Sequence, residues 1–157
     1  KKVGIIATPA TINSNAYPIA IQKLNPSINI ISQACALFVP MIEEGFIHHD
    51  ALELIAHDYL DVLKKQDIDA LVLGCTHYPL IKDVIAKIMG NSVKIIDPAI
   101  TACNELVQIL TRRNLLNQQQ NTGSYRYFVT DIPLKFRENG ERFLEGKMDK
   151  IELVNLD

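Results

Sequence analysis

Apolar residues in this chain fall in short continuous runs separated by longer amphipathic stretches. The runs at residues 3–7, 28–32, 69–73 and 93–96 have the length and composition of strands covered on both faces. Between them, Leu52, Ile55, Tyr59, Val62 and Leu63 recur at helical spacing and predict a helix over residues 50–65. Asn13 or Ser14 can cap an earlier helix that carries Pro18 in its first turns and ends before Asn25-Pro26. A third helix starts at Pro79 and stops near Gly90, a residue suited to a C-terminal cap. Asp97-Pro98 opens a fourth, running to about residue 110. Residues 8–11 read as a turn, and residues 35–45 as either a long loop or a short helix.

Strand and helix therefore alternate, which predicts the α/β class: a parallel, flavodoxin-like sheet flanked by helices. Sites in such sheets lie beyond the carboxyl ends of the strands, where the strand order reverses. In flavodoxin-like order the first and third strands are neighbours. Thr8 and Thr11, after the first, would then face the same crevice as Cys75, Thr76 and His77, after the third. Residues 117–124, with three glutamines and a glycine, read as a surface loop. A strand (125–129), a helix (133–144) and a strand (150–156) follow, too few elements to bury a core of their own.

With 157 residues, 48% hydrophobic and 22% charged, the chain has material for one domain, or for one domain and a piece of another. A net charge of −2 gives nucleic acid or an anionic membrane no reason to bind. No apolar stretch approaches the roughly 20 residues that span a bilayer, and none reads as a signal peptide. The three cysteines, Cys35, Cys75 and Cys103, are odd in number and form no C-x-x-C pair. That argues against a disulfide framework or a zinc ribbon and fits a reducing cytosol. The chain opens on Lys1-Lys2 without an initiator Met and enters its first strand at once, so it reads as a segment of a longer protein.

Chemistry concentrates in LVLGCTHYPLI, residues 71–81. An apolar strand gives way there, at Gly74, to Cys75, Thr76 and His77, with Pro79 suited to the first turn of the following helix. A thiol, a hydroxyl and an imidazole meet the free N–H groups of a helix start, a setting that binds carboxylates and favours a thiolate. Each has a plainer reading. Cys75 alone is more often a buried apolar residue; His77 can merely orient the loop; Thr8 and Thr11 can be turn and cap residues. Cys35 and Cys103 read as packed core thiols. His49, Glu53 and His57 recur every four residues, more in keeping with a solvated helix face than a metal site, and no metal is expected.

The GCTHYPL run, Gly74 to Leu80, resembles that of glutamate racemases. ATPAT with Ser14 and Tyr17, CALFVPMIEEG (residues 35–45) and FVTDIP (residues 128–133) follow in that family's order and extend the resemblance over nearly the whole chain. It implies a cofactor-independent enzyme interconverting L- and D-glutamate for peptidoglycan synthesis in the bacterial cytoplasm, with glutamate as the partner and a homodimer as a possible assembly. In the family two cysteines flank the substrate Cα; one takes its proton as thiolate and the other supplies a proton as thiol. Cys75 corresponds to the second. The resemblance further implies catalytic roles for His77 and Glu43 and substrate contacts from Thr76, His77, Thr8 and Thr11. Spacing alone does not choose Glu43 over Glu44.

One departure from the pattern is large. The family's Asp-Ser-Gly loop and its Cys-Asn-Thr loop, which carries the first catalytic cysteine, do not occur in the sequence. Ala7 also stands where glycine is common. The resemblance thus implies a C-terminal part of a racemase: residues 1–97 as its second α/β domain and residues 98–157 returning to a first domain whose N-terminal half is missing. Such a piece is expected to be inactive alone, since one fixed base serves only one face of Cα. An aspartate-type racemase of the same superfamily and a non-catalytic ligand-binding module are the competing readings.

Overall fold

The computed structural model describes residues 1–119, 123–131 and 133–156. Residues 120–122 of the expected loop and Ile132 of the FVTDIP motif lie outside the described residues.

Four apolar runs become one sheet because each satisfies its backbone only by pairing with a neighbour. β1 (Lys2–Ala7), β2 (Asn29–Ala34), β3 (Ala70–Leu73) and β4 (Lys94–Ile96) form it in the order β2-β1-β3-β4. All pairings are parallel: Lys2 to Ala7 lie against Asn29 to Ala34, Val3 to Ile6 against Ala70 to Leu73, and Ala70 to Val72 against Lys94 to Ile96. This is the flavodoxin-like order, and it makes β1 and β3 neighbours.

The connecting helices are α1 (Pro9–Asn13), α2 (Ala16–Leu24), α3 (Phe38–Glu43), α4 (Asp50–Lys64), α5 (Lys82–Met89) and α6 (Pro98–Arg112). Leu52, Ala56, Leu60 and Leu63 of α4, spaced for one helix face, are all buried. They share a core with Ile6, Leu71 and Leu73 of the sheet, Ile85, Ile88 and Met89 of α5, and Phe38, Ile42 and Tyr78. Lys64 at the end of α4 closes the end of α5, its Nζ donating to the Ile88 carbonyl at 2.9 Å. Gly90 caps α5 at φ 77°, the left-handed region that favours glycine.

Four local features differ from the sequence reading. The expected turn at residues 8–11 is helical: Thr8 caps α1, its hydroxyl accepting the Thr11 N–H at 3.4 Å. The chain then breaks at Asn15, whose φ is 53°, so the helix that reaches Leu24 begins only at Ala16. After β3, residues Tyr78–Ile81 form a 3₁₀ turn before α5. The loop-or-helix alternative over residues 35–45 resolves to α3 followed by a 3₁₀ turn at Phe46–His48. Cys35 is fully buried as expected, but Cys103 is exposed. It lies on α6, which buries none of its side chains and leaves Ile100, Leu106 and Val107 open.

By compactness the chain divides into residues Lys1–Leu115 and Leu116–Asp157. The second unit holds β5 (Tyr127–Val129), α7 (Pro133–Leu144) and β6 (Ile151–Leu153), with the two strands parallel. Val129 and Met148 are buried, while Phe128, Leu134, Phe136 and Leu153 stay exposed. Two strands and a helix close over too little apolar surface to do more. Among the described residues no helix is long and apolar enough to cross a membrane.

Candidate active site

The carboxyl ends of β1, β2 and β3 are tied together by backbone hydrogen bonds. The Gly74 N–H donates to the Ile6 carbonyl at 2.7 Å and the Cys35 N–H to the Ala7 carbonyl at 2.9 Å. A Cβ on Gly74 would lie 2.9 Å from the Ile6 oxygen, 3.0 Å from the Ala7 Cβ and 3.2 Å from the Tyr17 ring. Glycine therefore lets β3 turn away while still touching β1. Thr8 and Cys75, each two residues beyond the paired Ile6 and Leu73, leave the sheet from adjacent strands.

Cys75 is partly exposed and lines a cleft of ≈ 310 Å³ with Tyr17, Thr76, Asp97, Pro98 and Ala102. Asp97 closes one side by capping α6, its Oδ1 accepting the Ala99 N–H at 2.9 Å. Sequence reasoning gave Tyr17 and Asp97 no role at a site, yet Asp97 had a signal, since it directly follows β4. Burial raises the Cys75 pKa above the ordinary thiol value, and hydrogen bonds from the His77 and Tyr78 amides oppose the rise. This reverses the expected bias toward thiolate. A four-residue 3₁₀ turn offers a much smaller dipole than a long helix, so desolvation outweighs it. The Tyr78 N–H, one of the amides expected to grip a carboxylate, is instead committed to the Cys75 carbonyl at 3.2 Å.

His77 links two elements. Its Nε2 lies 3.1 Å from Oε1 of Glu43, the last residue of α3, and its Nδ1 lies 3.4 Å from the Thr76 hydroxyl. Nε2–H donating to the carboxylate leaves Nδ1 as acceptor for the hydroxyl, the tautomer assigned from this network. Glu43, which spacing could not single out, is thus in hydrogen-bond reach of His77. Thr8 and Thr11 share a hydrogen bond, hydroxyl to hydroxyl, at 3.1 Å; both are partly buried.

Under the loop, Cys35 is completely enclosed. Burial first, then the neighbouring Cys75, push its pKa up to about 12. The His49, Glu53 and His57 row has structural partners instead of a shared ligand: His49 Nδ1 accepts the Ala51 N–H, Glu53 pairs with Lys87, and His57 with Asp61. Among the described residues no group of three such side chains is arranged to hold a metal ion.

A parallel sheet with a thiol, an imidazole and a carboxylate at its carboxyl edge defines a class that comparison makes specific. The pattern of the Asp/Glu/Hydantoin racemase family matches residues 1–106, and the chain belongs to that family. Within it, the chain is similar to the glutamate racemase of Neisseria meningitidis serogroup A, with 48% identity over 99% of this chain and 57% of the relative. The glutamate racemase of Geobacter metallireducens is 42% identical, over 99% of this chain and 58% of the relative. Among solved structures, glutamate racemase from Francisella tularensis in complex with D-glutamate superposes with a TM-score of 0.92 and 53% identity, covering 99% of this chain and 58% of that one. The chain spans a little over half the length of the relatives it matches.

Proposed function

We propose that this chain is the C-terminal part of a glutamate racemase that interconverts L- and D-glutamate without a cofactor. The observation that carries the reading is Cys75 in the cleft, two residues from an imidazole held by Glu43. An amino-acid Cα proton is weakly acidic, so its removal needs a close base and stabilisation of the carbanion. A base opposite Cys75 takes the proton, and the Cys75 thiol gives its own to the other face of Cα, becoming thiolate. In the reverse direction the Cys75 thiolate abstracts and the opposite group donates. A raised pKa suits Cys75 to start as the donor. His77, polarised by Glu43, assists proton movement at the sulfur, while the Thr76, Thr8 and Thr11 hydroxyls contact the substrate's polar ends.

The opposite base lies in the portion of the relatives' length that this chain does not span. Residues 1–97 form the second domain of the complete enzyme, and residues 98–157 return to its first domain. The enzyme works in the bacterial cytoplasm and supplies D-glutamate for peptidoglycan. Chiral chromatography after incubation of the full-length protein with L-glutamate and, separately, L-aspartate tests the reading. Conversion of glutamate is expected, with the 157-residue chain alone inactive. Turnover of aspartate instead, or of neither, overturns it.

A further inference from the structure

Tyr78 is the largest fully buried side chain of the molecule, and the proton-transfer scheme leaves it unused. Its hydroxyl donates to the Cys35 carbonyl at 3.1 Å, across 43 residues of sequence. That carbonyl belongs to a residue whose own N–H is fixed on Ala7 at the end of β1, at 2.9 Å. The Tyr78 ring stands edge-on to Phe38, with centroids 5.3 Å apart and planes at 89°. Phe38 begins α3, the helix that ends in Glu43, and is braced from behind by Tyr59 in the same geometry. The Tyr78 N–H also donates to the Cys75 carbonyl at 3.2 Å. One residue therefore ties the Cys75–His77 loop to the ends of β1 and β2 and to the start of α3.

We infer that Tyr78 is a positioning residue: its buried hydroxyl anchors the Cys75–His77 loop on the Cys35 carbonyl, and so sets the place of the Cys75 sulfur and keeps His77 in reach of Glu43. The hydroxyl matters more than the ring for this task. Tyr78→Phe keeps the packed volume but removes the loop's bond to the Cys35 carbonyl, which is left with only the longer Phe38 N–H contact at 3.4 Å among the described residues. The loop then gains freedom to shift Cys75 from a turn in which the His77 and Tyr78 backbone works against the rise that burial gives its pKa. The ionisable groups around the sulfur are Cys35 and Tyr78 beneath it, His77 and Glu43 beside it, and Tyr17 and Asp97 in the cleft. Burial holds Tyr78 far above the ordinary phenol range, so the substitution removes no charge and acts only through geometry.

The test uses the full-length protein and follows alkylation of Cys75 by iodoacetamide against pH, with peptide mapping to separate it from the exposed Cys103. For Tyr78→Phe the inflection of the Cys75 profile is expected to move to higher pH, and kcat for racemisation to fall about tenfold or more, a loss within reach of small misplacements at a reacting centre, with KM changed less. Phe38→Leu, which loosens the brace on the Tyr78 ring, is expected to move the profile the same way by a smaller amount, and it serves if Tyr78→Phe does not fold. Tyr59→Phe, altering a hydroxyl that accepts the Leu37 N–H at 3.4 Å, should leave the profile where it is. A folded Tyr78→Phe or Phe38→Leu protein with the wild-type profile overturns the inference. The kinetic part rests on the proposed racemase activity; the alkylation profile does not. A wild-type protein without racemase activity but with a Tyr78-dependent profile would refute the activity alone.

Discussion

Replacing Cys75 with serine in the full-length protein is expected to lower kcat for glutamate racemisation by about 10²- to 10⁴-fold, the range that a positioned proton-transfer group supplies. The side chain stays nearly the same size, so the cleft and the Asp97 wall should be preserved. A hydroxyl, however, is far less acidic than a thiol. It can neither give its proton to a carbanion as readily nor exist as the conjugate base when the reaction runs in reverse. Both directions should therefore suffer, and the melting temperature should hardly move. Steady-state polarimetry with each enantiomer, beside a thermal melt, is the check. A variant with more than a tenth of the wild-type kcat would show that Cys75 is a bystander.

The second large effect concerns the scaffold. Leu60→Ala should destabilise the chain by about 2–5 kcal/mol, the cost of a cavity at a fully buried leucine. Leu60 is completely enclosed, on the α4 face that carries Leu52, Ala56 and Leu63 into the core. Leu60 shares its core with Ile85, Ile88 and Met89 of α5 and with Ile6, Leu71 and Leu73 of the register-fixed sheet, so little relaxation is available. For a chain of this size each kcal/mol is worth about 2–4 °C in melting temperature. Urea denaturation should give a lower midpoint with an unchanged slope. A loss below about 1 kcal/mol would mean that α4 is not seated as described.

The sheet was legible because its signal is physical and local. Apolar runs such as Ile5 and Ile6 or Leu71 to Leu73 have nowhere to go but a covered strand, and the strands' alternation with helices forces parallel pairing. From that followed the adjacency of β1 and β3, from whose carboxyl ends Thr8 and Cys75 leave the sheet, although the cleft lined by Cys75 takes in neither Thr8 nor Thr11. What stayed hidden depended on competition between nearby effects. Asn15 takes a left-handed conformation that splits one amphipathic stretch into α1 and α2, and side-chain periodicity carries no record of it. The contact of Glu43 with His77 joins the end of α3 to a loop 34 residues further on, which spacing along the chain does not record. The sign of the Cys75 shift could not be read from Gly74 and Pro79, because it is set by how deeply the sulfur sinks beside the core. Cys103 shows the opposite failure. Its helix has the composition of a packed one, yet none of its side chains is buried.

The scheme depends on the sulfur of Cys75 facing the substrate. The most direct measurement is protection of that thiol in the full-length protein: the rate of iodoacetamide labelling at Cys75, resolved from Cys103 by mass spectrometry, with and without saturating D-glutamate. Labelling of Cys75 is predicted to slow at least tenfold when D-glutamate occupies the cleft, while Cys103 labels at the same rate. Equal labelling of Cys75 with the ligand present and absent would contradict the account.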